Sequence, residues 1–112
     1  MEIYTDGGEG SYCFVILEKN IVKRFKKKGI TNNEAEYLAV IEALKFVEDN
    51  STITIFSDSK LIVNQIKMEW HIKEERLRKL FEEVLSLIKE KNIDFNIEWI
   101  PRGENKAGKV LG

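Results

Sequence analysis

The stretch Thr31-Asn32-Asn33-Glu34-Ala35-Glu36-Tyr37, continuing to Val47, is where the chain changes its period. Thr31 followed three residues on by Glu34 is a capping box: the hydroxyl and the carboxylate satisfy amides that a helix start leaves free. Tyr37, Val40, Ile41, Leu44 and Val47 then recur at helical spacing and predict one apolar face running to about Asp49. Upstream the period is shorter. Residues 2–5 form a short strand candidate closed by Gly7-Gly8; Ser11 to Leu17 and Ile21 to Lys28 are strand-like, with Glu18-Lys19-Asn20 as the turn between them. Downstream, Ser51 to Phe56 reads as a buried strand, Ser59 to about Ile66 as a short helix, and Lys73 to Glu90 as a longer helix striped by Leu77, Phe81, Val84 and Ile88. Asp94 to Trp99 is the last strand, followed by what reads as the start of a helix. The order β-β-β-α-β-α-α-β-α predicts an α/β fold. Its five-stranded mixed sheet has three antiparallel strands, then parallel ones, with helices on both faces.

The 112 residues suit a single domain over 1–112, and 43% hydrophobic with 33% charged is ordinary globular composition. No apolar run approaches the roughly 20 residues of a membrane span. The N-terminus lacks a basic or apolar leader, so the cytoplasm is the expected compartment. Cys13 is alone, which excludes an internal disulfide and a thiolate zinc site, and its apolar setting predicts a core residue. The formal charge of −1 argues against a uniformly basic nucleic-acid binder. Lys23, Arg24, Lys26, Lys27 and Lys28 nevertheless cluster, as do Arg76, Arg78 and Lys79, and Arg102, Lys106 and Lys109. Each patch reads equally as a solvated face or a phosphate contact.

Asp6 follows an apolar-leaning strand, Glu36 lies in the first turns of the first helix, and Asp58 ends the strand Ile53-Thr54-Ile55-Phe56. Each has a structural alternative: a turn for Asp6, the helix dipole for Glu36, a cap of the following helix for Asp58. In an open α/β sheet, however, strand ends gather at one ligand-binding edge. Carboxylates brought together there repel unless cations lie between them. Oxygen-only ligands suit magnesium or manganese rather than zinc.

Four segments resemble the ribonuclease H family of bacterial and archaeal type. They are Thr5-Asp6-Gly7-Gly8, the Thr31–Tyr37 stretch, Phe56-Ser57-Asp58-Ser59 with its apolar continuation, and Trp99-Ile100-Pro101-Arg102 with Asn105. The resemblance covers nearly the whole chain and implies the ribonuclease H-like fold. It implies an endonuclease that hydrolyses the RNA strand of RNA/DNA hybrids. Asp6, Glu36 and Asp58 would be the catalytic metal ligands, with two magnesium (or manganese) ions bridging the scissile phosphate and a 5′-phosphate on the product. It further implies substrate contacts from Gly7, Gly8, Thr31, Asn32, Asn33, Ser59, Arg102 and Asn105. RNA/DNA hybrid or double-stranded RNA is the implied partner, with no protein partner and no membrane.

The chain departs from the family pattern at its end. The family's fourth carboxylate falls on Lys109 by spacing, or on Gly108 if the alignment slides by one, and the final helix is truncated. A lysine there would compete with a metal ion. No histidine precedes this region to move protons; the sole one, His71, is expected at the surface. The loop after Asp6 is short, predicting a tight Gly7-Gly8-Glu9-Gly10 turn, and the basic insertion between Ile66 and Lys73 is missing; Trp70 in that stretch is expected to pack on the core. The alternative to a nuclease is therefore a catalytically impaired module that grips hybrid or duplex RNA without cutting. A 3′–5′ exonuclease would need Asp-x-Glu where Asp6-Gly7-Gly8 stands, and no phosphate-loop motif is present.

Overall fold

Three β-prone segments separated by short turns pair as a meander: β1 (Glu2–Gly8), β2 (Ser11–Ile16) and β3 (Ile21–Lys26) run antiparallel to their neighbours. In the computed structural model, which describes residues 1–111, the chain then crosses the sheet through α1 (Asn32–Phe46) to β4 (Thr52–Ser57), which joins β1 in parallel. Helices α2 (Lys60–Ile66) and α3 (Glu75–Glu90) return it to β5 (Asp94–Trp99), parallel to β4, and a short α4 (Gly108–Leu111) follows. The five-stranded sheet has the order β3-β2-β1-β4-β5, with three antiparallel strands followed by parallel ones. This is the ribonuclease H-like fold expected from the sequence.

Alternation along the strands divides the sheet's faces. Ile3, Phe14, Ile16, Ile53, Ile55 and Ile97 meet Tyr37, Val40, Ile41 and Leu44 of α1, together with Ile62, Val63, Leu77 and Val84 of α2 and α3. Each such side chain, fully buried, contributes roughly 1.5–3 kcal/mol. On the other face Cys13 and Val15 are covered by Ala107, with Tyr4, Val110 and Leu111 packed around them. Cys13 is thus a core residue, as expected, with its thiol pushed up to about 12 by burial and then by Asp6. α1 does not have the single apolar face expected: Ala35, Ala39 and Ala43 are buried as well as the larger residues, because the helix is packed between the sheet and α3. Its C-terminal end is held by the Lys91 ammonium, which donates to the carbonyls of Leu44 (2.8 Å), Lys45 (3.0 Å) and Val47.

Three local expectations change. β1 continues through Gly7-Gly8, so the turn is confined to Glu9-Gly10 and Asp6 lies within a strand. Trp70 does not pack into the core; it is 49% exposed near an exposed Met68, in a turn whose Glu69 and Trp70 amides both return to the Asn64 carbonyl. β3 stops at Lys26 and α3 starts at Glu75, leaving the flanking lysines in loops. Among the described residues no helix is long and apolar enough to cross a membrane.

Candidate metal centre

Parallel pairing of β1 with β4 sets Tyr4 opposite Phe56, and the two rings stack at 5.3 Å. Carried two residues further, the same register brings Asp6 beside Asp58 at the carboxyl ends of both strands. Glu36 arrives from α1 because Gly7 lets the helix touch the strand. A Cβ at Gly7 would lie 2.4 Å from Ala35 C and from Glu36 N. No side chain fits there. One oxygen from each of Asp6, Glu36 and Asp58 lies within 4.8 Å of the others.

The acids are not capping residues. Asp6 is in a strand, and Ser59 rather than Asp58 caps α2, its hydroxyl accepting from the Ile62 amide at 3.3 Å. Glu36 lies on α1's inner side, past the capping box in which Thr31 and Glu34 exchange bonds of 2.9 and 3.1 Å. Asp6 and Glu36 are only 2% and 8% exposed, and Asp6 Oδ1 and Glu36 Oε1 have no hydrogen-bond partner. An unpaired buried carboxylate oxygen is costly. Burial, then Asp6 and Asp58, push the Glu36 carboxyl up to about 9, against the opposing effects of the Gly7 amide and Arg102. Burial and Asp58 likewise raise Asp6, while Arg102 and the Gly7 amide pull it down. The donor set therefore fits a small divalent cation: all oxygen, convergent, partly unpartnered and short of positive charge.

Asn105, expected among the substrate contacts, has its amide engaged inside the fold. It is 1% exposed, and its amide nitrogen donates to the Thr5 carbonyl (2.9 Å) and to Asp58 Oδ2 (3.0 Å), while its oxygen accepts from the Ala107 amide (3.0 Å). It is a strut that ties Asp58 to β1 and starts α4. Trp99, which the sequence reading left without a role, donates its indole N–H to the Asp58 carbonyl at 3.1 Å and carries the Lys60 ammonium 4.7 Å above its ring. Pairing of β4 with β5 sets Ser57 opposite Trp99, so a tryptophan closing the neighbouring strand was the available signal. Thr31 and Asn32 are exposed beside the centre's helix start, with Asn33, Gly8 and Ser59 partly exposed. Arg102 lies 3.7 Å from Asp58 Oδ2 and 4.0 Å from Asp6 Oδ1.

Lys109 is exposed and pairs with none of the three acids among the described residues. The α4 residue that faces them is Gly108, where a Cβ would stand 3.9 Å from Asp6 Oδ2. Of the two positions the sequence offered, Lys109 and Gly108, it is Gly108 that stands near the acids, and Lys109 is exposed. His71 is exposed between α2 and α3, as expected.

The model of the reverse transcriptase-like family matches residues 9–111. Ribonuclease H of Caldicellulosiruptor saccharolyticus is 38% identical over 76 residues, covering 61% of this chain and 52% of that protein. The chain thus spans about half the length of the curated relatives it matches. Among solved structures, the ribonuclease H1 of Halobacterium salinarum superposes with a TM-score of 0.81 at 24% identity, over 98% of this chain and 92% of that one. LC11-RNase H1, solved in complex with an RNA/DNA hybrid, superposes with a TM-score of 0.78 at 25% identity over 99% of each chain. Sequence match, sheet order and the rim of acids agree, and the chain belongs to the ribonuclease H family.

Proposed function

We propose that this chain, acting as one domain, is a metal-dependent endoribonuclease that hydrolyses the RNA strand of RNA/DNA hybrids. The observation that carries this reading is the convergence of Asp6, Glu36 and Asp58 within 4.8 Å, two of them nearly buried and with oxygens that nothing in the fold satisfies. Those three residues would hold the divalent ions, magnesium or manganese. Bound there, the ions supply charge neutralisation at the phosphate and a more acidic water. LC11-RNase H1 binds a hybrid on the same fold.

The chain's own residues prepare the site. Gly7 lets α1 bring Glu36 to the strand, and Gly8, where a side chain would stand in open space, leaves room for a duplex backbone to approach the acids. Asn105 and Trp99 fix the Asp58 carboxylate and its peptide from behind. Thr31, Asn32 and Asn33, at the start of α1, supply the polar groups that meet 2′-hydroxyls and phosphates. A cavity of about 300 Å³ lined by Leu61, Gln65, His71 and Leu77 is separate from the acids. An open rim suits a duplex better than an enclosed small molecule.

A second reading, binding without cutting, is favoured by one observation: Gly108 faces Asp6 and offers no fourth carboxylate. Cleavage of an end-labelled RNA/DNA hybrid in magnesium and in manganese, with double-stranded RNA alongside, decides between them. Cuts in the RNA strand support the nuclease. Tight hybrid binding with intact RNA in both metals supports the binding module.

A further inference from the structure

We propose that Arg102 is a built-in counter-cation of the acid rim, one that gives way when a divalent ion binds and so sets the metal affinity of the site. The inference rests on the metal-dependent reading above and adds the residue that opposes it.

The guanidinium is placed between two acids yet fastened to neither. Nη1 is 3.7 Å from Asp58 Oδ2 and 4.0 Å from Asp6 Oδ1, and the Arg102 side chain is 72% exposed while those carboxylates are 8% and 3% exposed. At those distances charge is felt, but no hydrogen bond forms. Asp6 Oδ1 accordingly has no partner. Among the described residues the guanidinium makes no other hydrogen bond, so its tip is held by charge alone. Its root is fixed: Arg102 opens a 3-10 turn after Pro101, closed by amide bonds from Glu104 to Pro101 (2.9 Å) and from Asn105 to Arg102 (3.1 Å). The same Asn105 holds Asp58, so the arm and its target share one support.

A magnesium ion approaches carboxylate oxygens to about 2.1 Å with twice the charge. Coulomb's law then gives it roughly a fourfold advantage over a guanidinium near 4 Å at equal dielectric. The two cations also repel at such spacing. Metal binding therefore expels the arm, whose exposed fork becomes free to grip a phosphate of the duplex in bidentate fashion. One residue thus weakens metal binding in the resting protein and strengthens substrate binding in the loaded one.

The test is manganese titration, followed by paramagnetic resonance or calorimetry, on the wild type, Arg102→Ala, Arg102→Gln and Asp58→Asn, with hybrid binding measured in calcium. The expected result is manganese affinity roughly tenfold tighter in Arg102→Ala and Arg102→Gln, together with weaker hybrid binding in both. Arg102→Gln keeps most of the stem, so a gain shared by both variants cannot come from lost packing. If the wild type binds manganese, Asp58→Asn does not, and neither Arg102 variant binds more tightly, the counter-cation role is wrong while the metal centre stands. If the wild type and Asp58→Asn bind alike, the metal centre itself is wrong and this inference falls with it.

Discussion

Replacing Glu36 with Gln should stabilise the metal-free protein, which is the reverse of what removing a buried, bonded carboxylate does. The Glu36 carboxyl is pushed from an ordinary 4.5 up to about 9, by burial and then by Asp6 and Asp58. The direction follows from proton counting. Between those two values the folded chain keeps a proton that the unfolded chain has released, so stability falls as pH rises through that window. Each pH unit above 4.5 costs about 1.36 kcal/mol, which reaches about 3 kcal/mol at pH 7. Glu36 is 8% exposed, so solvent screens little of this. Glu36→Gln has no proton to keep, and its gain should raise Tm by on the order of 10 °C at pH 7. At pH 4, where the unfolded chain is protonated too, the gain should vanish.

Saturating magnesium should invert the ranking, because a ligand at about 1,000 times its Kd stabilises the binding-competent protein by about 4.1 kcal/mol, more than the gain of about 3 kcal/mol from the substitution. Only the wild type keeps the full ligand set. Calorimetric melts of both proteins at pH 4, 5.5 and 7, with chelator and with magnesium, contain the whole comparison. Equal melting at pH 7 in chelator, or a difference that persists unchanged at pH 4, would refute the claim that Glu36 is held under electrostatic strain.

Other perturbations test the support of the site. Asp58→Asn should abolish hybrid cleavage while circular dichroism and Tm show an intact fold; retained cleavage in a clean preparation would remove Asp58 from the site. Gly7→Ala forces a Cβ to within 2.4 Å of two α1 backbone atoms, so urea unfolding should show a loss of about 3 kcal/mol or more, with metal affinity falling as Glu36 is pushed from Asp6. Lys91→Met removes the cation that three carbonyls at the end of α1 share, and denaturant titration should register a loss of about 1–3 kcal/mol with metal affinity unchanged. Gly108→Asp should tighten manganese binding and Lys109→Asp should not, since only the first places a carboxylate near Asp6 Oδ2; the reverse order in a titration would show that α4 is turned the other way.

Strand order and helix placement were legible in the sequence because period and capping agree at each boundary: Thr31 and Glu34 bond as a capping box should, and the shift from alternation to helical spacing falls where β3 gives way to α1. Asp6 and Asp58 were legible for a related reason, since residues near the ends of neighbouring parallel strands share an edge; Glu36, on α1, was legible from its place in the Thr31–Tyr37 stretch. What spacing could not give is direction. Counting residues from Asn105 put the fourth carboxylate position on Lys109 or, with a slide of one, on Gly108, and of these the fold sets Gly108 toward Asp6 and leaves Lys109 exposed. Asn105 looked like an amide for nucleic acid and is instead buried with both ends of its amide bonded inside. A linear pattern names the residue; only the fold tells which way its side chain faces.

The placement of the strain also explains how so small a chain tolerates it. Asp6 and Asp58 lie past the stacked Tyr4 and Phe56 rings, on the face opposite the main core. Ile3 and Ile55, one residue before Tyr4 and Phe56, face α1 and are fully buried. Burial of such side chains is indifferent to charge at the rim, so repulsion among the acids can be relieved there without loosening the sheet. Asp6 and Glu36 are the less braced members, since Asp6 Oδ1 and Glu36 Oε1 have no partner. Asp58 is the best braced, by Asn105 at its carboxylate and Trp99 at its carbonyl. The site thus joins an acid fixed from two sides, one held in a strand and one carried by a helix packed between the sheet and α3. Gly7, where helix and strand meet with no side chain between them, sets how closely Glu36 approaches the two strand acids.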